Sequence, residues 1–247
     1  MLQTAIKAAR EAGKLMLNTF GKELKIDSEV RYDTKLALDK ECEKVIIDII
    51  KSNFPEHSIL AEESGQTKNK SDYTWIIDPL DGTANFAKGI PQFCTSIALV
   101  KGGEHILGVV FDPLKDELFH AEKGKGAYLN NKRIYTSNVK SLEDSFMICG
   151  FMKSEETIKQ GLGFFKDLVL KVKKVRIMGA AALDLCWVAA GRFELYFEYG
   201  IMSWDIAAGT VILQESGGKI STREITENTF NVVATNGKIL PEEIPVT

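Results

Sequence analysis

The stretch Trp75-Ile76-Ile77-Asp78-Pro79-Leu80-Asp81-Gly82-Thr83-Ala84-Asn85-Phe86 constrains this chain more than any other. Its opening run is aromatic and β-branched, the composition of a buried strand. Pro79 fixes its own φ and lacks a backbone donor, so the strand is expected to stop there and the chain to turn. Gly82 permits a tight backbone, and Thr83 is suited to begin a short helical turn. Asp78 and Asp81 thus fall at the carboxyl end of a strand, where open α/β sheets hold their ligands. Backbone N–H groups at the following helix start add an anion site. Hard oxygen ligands beside an anion cradle suit Mg²⁺ bridging protein and phosphate. A lone Asp-Pro-x-Asp reads more readily as an acidic turn. The buried strand in front of it shifts the reading toward an ion site.

The flanking chain is predicted to alternate helices and strands. Leu2, Ile6, Ala9, Gly13, Met16 and Phe20 recur at helical spacing, and Gly21 is placed to end that helix. Lys22 to Asp33 is polar without a sustained period and reads as a mobile loop or weak hairpin. A second helix is predicted over Leu36 to Asn53, closed by Pro55. Ser58 to Glu62 reads as a strand delivering Glu62 and Glu63 at its end, and Gly65 to Asp72 as a polar loop. Thr95 to Val100 and His105 to Phe111 form a predicted hairpin, continued by Glu117 to Ala121 and Ala127 to Leu129. Beyond Ser145 come a strand over Phe146 to Cys149, a helix from Glu155 to Leu170 and a strand over Val172 to Arg176. An Ala-rich helix over Gly179 to Ala190, a strand over Phe193 to Phe197, a helix over Trp204 to Ser216 and a strand over Val232 to Thr235 complete the chain. So much consecutive antiparallel β implies α+β character.

Three places together resemble one family. The central dodecamer is similar to the signature of the inositol monophosphatase family, within the Mg²⁺-dependent, lithium-sensitive sugar phosphatases. Leu60-Ala61-Glu62-Glu63-Ser64 resembles its Gly-Glu-Glu-Ser segment, with Ala61 where glycine is usual, and Trp204-Asp205-Ile206-Ala207-Ala208-Gly209 resembles its C-terminal signature. The match spans almost the whole chain. It implies a layered αβαβα sandwich of the inositol monophosphatase and fructose-1,6-bisphosphatase type, read as one domain over 1–247 with approximate halves 1–140 and 141–247.

The resemblance also implies the site. Glu62, Asp78 and the Leu80 carbonyl would hold one Mg²⁺; Asp78, Asp81 and Asp205 a second; a weaker third would lie near Glu62. Mn²⁺ is an expected substitute, Li⁺ and Ca²⁺ expected inhibitors, and a homodimer the expected assembly. Without the resemblance, Asp205 reads as a plain N-cap and Glu62 as a solvated acid. Thr83 is the candidate for orienting the attacking water, a role compatible with capping its helix. The resemblance adds Asp39 as its partner, although Leu36 stands where the family has threonine three residues earlier. The backbone of Gly82 and Thr83 should meet the phosphate. Glu198, at the end of its predicted strand, matches a position that binds a substrate hydroxyl, and Gly150 and Ala181 match positions lining the same pocket. Arg176 is either a second phosphate contact or a surface cation. Met152 follows Phe151 where many relatives have proline.

Composition limits the alternatives. Of 247 residues, 31 are basic and 34 acidic, a net charge of -3, so no basic field invites nucleic acid. Cys42, Cys94, Cys149 and Cys186 form no CxxC and are expected as reduced thiols in a cytoplasmic protein. No apolar run is long enough to span a bilayer, so no membrane partner is expected. The three histidines, His57, His105 and His120, have no zinc spacing, and neither GxSxG nor a Walker loop occurs. Lys123-Gly124-Lys125-Gly126 reads as a β-turn rather than a phosphate loop. The expected substrate is a small phosphorylated polyol or sugar, inositol 1-phosphate first. Fructose 1,6-bisphosphate and 3′-phosphoadenosine 5′-phosphate are alternatives, and a non-catalytic regulatory protein on the same fold is the reading of a different class.

Overall fold

Five layers follow from how the apolar residues alternate. The computed structural model describes residues 1–24, 26–30, 33–151 and 154–239, with side chains 26–30 and 33–35 left out of the description. Met152, expected where many relatives have proline, therefore lies outside the described residues. Helix α1 (Leu2–Thr19) leads into the paired strands β1 (Ile26–Val30) and β2 (Asp33–Leu36), then helix α2 (Ala37–Asn53). The polar stretch is thus a hairpin, one of the two forms expected of it.

An eight-stranded sheet comes next: β3 (Ser58–Ala61), β4 (Gly65–Thr67), β5 (Tyr73–Asp81), the short helix α3 (Thr83–Ala87), β6 (Cys94–Lys101), β7 (Glu104–Asp112), β8 (Glu117–Glu122), β9 (Gly126–Leu129) and β10 (Lys132–Arg133). Its order is β10-β9-β8-β7-β6-β5-β3-β4, antiparallel except where β3 runs parallel to β5. The second sheet contains β11 (Phe146–Phe151), β12 (Lys174–Arg176), β13 (Leu195–Met202), β14 (Lys219–Thr226) and β15 (Thr229–Thr235), in the order β12-β11-β13-β15-β14. Helices α4 (Glu155–Val169), α5 (Ala181–Ala189) and α6 (Ser203–Glu215) complete the chain.

Alternate residues of the central strands serve opposite layers. On β5, Trp75 and Ile77 pack with α1 and α2, while Ile76 faces α5 and α6. On β13, Tyr196 faces that same middle helical layer, while Leu195, Phe197 and Tyr199 pack under Phe164 and Leu168 of α4. The order is therefore α1/α2, large sheet, α5/α6, small sheet, α4, the expected αβαβα sandwich. Small residues let α6 lie close to the large sheet: a Cβ on Gly108 would come within 2.3 Å of the Ala208 carbonyl. No helix among the described residues is long and apolar enough to cross a membrane. All four cysteines are buried free thiols.

Four local expectations are corrected. Strand β5 does not stop at Pro79 but resumes pairing at Asp81 opposite Cys94 after a register shift. The proline has no donor for the ladder, and the Thr95 hydroxyl instead donates to its carbonyl at 3.0 Å. Residues Gly65–Thr67, expected as loop, form an exposed edge strand held by backbone pairing to β3. Strand β13 runs on to Met202, which puts Glu198 in mid-strand rather than at its end. Strand β14 was not expected; it is mostly exposed and owes its form to pairing with β15.

Candidate active site

The parallel pairing of β3 with β5 brings the first two acids together. Ala61 is in register with Ile77, and the Glu62 amide donates to the Ile77 carbonyl at 3.2 Å. The Glu62 side chain is close enough to Asp78 to raise its carboxyl. Glu43, buried on α2, steadies this turn by accepting the Glu63 amide at 2.8 Å. Asp78 accepts the Leu80 amide at 3.0 Å, an Asx turn that bends the strand end. Its alternation with Ile76 points it into the middle helical layer.

Asp81 meets that layer from the same end. Its Oδ2 accepts the Ala182 amide at 2.8 Å, and the Cys94 thiol lies 3.5 Å away. The positive end of the α5 dipole thus rests on a carboxylate. Gly82 takes φ +90°, and a Cβ there would meet the Gln92 carbonyl at 2.8 Å, so only glycine makes this turn without strain. Thr83 begins α3, and its hydroxyl donates to the Leu80 carbonyl at 2.9 Å. Asn85 on the same helix donates to the carbonyls of Gln92 and Met178, tying this loop to the approach to α5.

Asp205 opens α6 as the third helical residue, not as the N-cap, and accepts the Met202 amide at 3.1 Å. Asp39 holds the same place on α2 and accepts the Leu36 amide at 2.7 Å; it is buried beside β2, against which α3 packs. Glu198 pairs in register with Gly150, and the Tyr196 hydroxyl donates to its Oε2 at 2.9 Å. Ala181 is the first residue of α5. Arg176 lies apart in character: it is exposed on the edge strand β12, its guanidinium donating to the Val175 carbonyl.

The electrostatics bind these acids into one group. Burial, then the charges of Glu62, Asp81 and Asp205, push the Asp78 carboxyl well above its ordinary value. Asp205 is raised by burial, then by Asp81, Glu62 and Glu198. Burial lifts Asp81 to about 6, although the N–H groups at the α5 start and the Cys94 thiol pull the other way. Glu198 is lifted to about 7, again chiefly by burial. Asp78 and Asp81 form the floor, while Glu62, Thr83, Asp205 and Glu198 are half-buried at the rim. Among the described residues, no three acid, imidazole or thiol groups are already arranged as a metal shell.

Sequence reasoning missed Glu43, Cys94, Asp184 and Tyr196. Asp184 on α5 is 2% exposed, and burial with Asp81 and Glu198 raises its carboxyl. Only Tyr196 left a readable signal, its spacing of two from Glu198 on one strand.

The comparisons agree with this architecture. The profile of the inositol monophosphatase family matches residues 1–244. Nus factor SuhB of Pasteurella multocida is 42% identical over 224 residues, 89% of this chain and 84% of that protein. The solved extragenic suppressor protein suhB of Bartonella henselae superposes with a TM-score of 0.90 at 33% identity, covering 96% of this chain and 93% of that one. The solved inositol monophosphatase of Anabaena (Nostoc) sp. PCC 7120 gives 0.83 at 38% identity, covering 96% and 90%. With its layers, its acid cluster and a family match over nearly its full length, this chain belongs to the inositol monophosphatase family.

Proposed function

We propose that the protein is a Mg²⁺-dependent phosphomonoesterase acting on a small phosphorylated polyol or sugar, inositol 1-phosphate first. The observation that carries this is the meeting of Glu62, Asp78, Asp81 and Asp205, from three separate segments, at the starts of α5 and α6. Like charges raise one another's pKa values, and a divalent cation reverses that penalty. The donor set fits such an ion, being carboxylate and carbonyl oxygen throughout. Glu62, Asp78 and the Leu80 carbonyl would hold one ion, and Asp78, Asp81 and Asp205 another, with the side-chain oxygens closing in as they bind. Bound ions supply Lewis acidity and a water of lowered pKa.

The chain's own groups do the rest. Thr83 spends its hydrogen on the Leu80 carbonyl, so its oxygen is left to accept from a water and orient it. Asp39 and Glu62 are assigned supporting roles in that alignment. The N–H groups of Gly82 and Thr83 are assigned to the phosphate, and Glu198, Gly150 and Ala181 to the alcohol. Arg176, exposed, is kept as an outer contact only.

The test is phosphate release from inositol 1-phosphate, fructose 1,6-bisphosphate and 3′-phosphoadenosine 5′-phosphate in millimolar Mg²⁺. Turnover of the first, abolished in Asp81→Asn and inhibited by Li⁺ and Ca²⁺, is expected; silence on all three substrates sinks the reading. A second reading, a non-catalytic regulatory protein on this fold, is favoured by relatives that are named Nus factors. Thermal stability separates the two, since Mg²⁺ with phosphate should raise it only where they bind. The homodimer carried by the resemblance is tested by sedimentation. At net charge -3, direct binding of nucleic acid is not part of either reading.

A further inference from the structure

We propose that Tyr196 is a positioning residue that presents Glu198 as an oriented acceptor for a hydroxyl of the leaving alcohol, making the site selective for phosphate esters of polyols. This rests on the phosphatase reading and deepens it by assigning the selectivity to a named pair.

Tyr196 and Glu198 stand two apart on β13, so both side chains rise from one face of the sheet, toward the middle helical layer. Tyr196 is 0% exposed, and its hydroxyl donates to Oε2 of Glu198 at 2.9 Å. Burial and the charges of Glu198 and Asp184 push the phenol far up, so it keeps its proton and remains a donor. Beneath the carboxylate lies Gly150 of β11, in register with Glu198. A Cβ there would sit 2.1 Å from Oε2 and 2.6 Å from Oε1, so the glycine lets the carboxylate lie flat on the neighbouring backbone. A strand face, a phenol and a missing side chain together fix the carboxylate's plane.

With Oε2 engaged, Oε1 is the acceptor left for a ligand, and Glu198 is half-buried where Tyr196 is sealed. The ionisable groups around Glu198 are Asp184 on α5, Asp205 on α6, Asp81 at the end of β5 and Cys149 on β11. Burial raises Asp184 and Cys149 toward their neutral forms, and Asp81 and Asp205 are assigned to the ions, so Glu198 is the acceptor to which a neutral hydroxyl of the alcohol can donate. An ester with no hydroxyl near its phosphate would leave the oriented oxygen unpaired, and sites built this way discriminate strongly against such analogues.

Tyr196→Phe keeps the buried ring and removes only the donor. Calorimetry in Ca²⁺ buffer, with inositol 1-phosphate and inorganic phosphate as probes, reads binding without turnover. The expected result is affinity for inositol 1-phosphate weakened about tenfold with that for phosphate unchanged. In turnover, KM for inositol 1-phosphate rises while p-nitrophenyl phosphate is hydrolysed as before. The pH dependence of that KM moves upward, because the lost hydrogen bond had held Glu198 down. Equal weakening toward both probes, or no change in either, overturns the inference, as does a wild type that does not bind inositol 1-phosphate. Tyr196-dependent binding in a protein without turnover sinks the phosphatase reading alone.

Discussion

Asp81→Asn in protein stripped of divalent ions offers the sharpest test of the acid cluster. Asp81 is 8% exposed and its carboxyl is raised from 3.8 to about 6, burial outweighing the α5 amides that favour the charge. About two pKa units correspond to about 3 kcal/mol. Below about pH 4 the carboxyl is protonated in both folded and unfolded chains, and its full contribution is present. As pH rises through about 6, the folded protein must release a proton that the unfolded chain has already lost, and that stability disappears. Asparagine cannot titrate. Wild type should therefore lose about 3 kcal/mol relative to the variant between about pH 4 and pH 8, or about 6–12 °C in Tm for a chain this size. The assay is thermal unfolding in chelator across that range, then again with Mg²⁺. Added Mg²⁺ should restore the loss in wild type and raise the variant less, since the variant keeps Glu62, Asp78 and the Leu80 carbonyl for one ion but lacks the Asp81 charge for the other. Parallel curves for the two proteins in chelator would refute the reasoning.

Three further outcomes are expected. Gly150→Ala forces the Glu198 carboxylate off the β11 backbone, so stability should fall by about 1–3 kcal/mol and KM for a polyol phosphate should rise in steady-state assays. Asn85→Ala removes the donors that tie α3 to the loop before α5; denaturant unfolding should show a loss of about 1–3 kcal/mol together with reduced phosphate release. Glu215 accepts the amides of Gly124 and Gly126, each at 2.7 Å, so Glu215→Ala should loosen the β8–β9 turn, detectable as faster amide exchange there, at unchanged activity.

The glycine-rich stretch from Lys123 to Gly126 illustrates how far local pattern reaches. It was legible as a turn because Gly124 and Gly126 supply the positive φ values such a turn needs. The hairpin of β6 and β7, the helices α1, α2 and α4, and the placement of Asp78 and Asp81 at a strand end were legible for the same reason. Hydrophobic period and turn chemistry act over a few residues. The edge strands β4 and β14 were not, because exposed polar segments become strands only through the neighbour they pair with.

The site divides along the same line. Residue types and spacing determined that this chain has an acidic turn after a buried strand, a second acid pair at Glu62 and Glu63, and an Asp205 at a helix start, and through them its family. Only the tertiary structure decided that the amide of Ala182 caps Asp81 across 101 residues, that Glu43 braces the Glu62 turn, and that Tyr196 holds Glu198 over Gly150. Those contacts depend on which faces of two sheets meet one helical layer, and no local pattern carries that information, because burial and charge repulsion are set by neighbours distant in the chain.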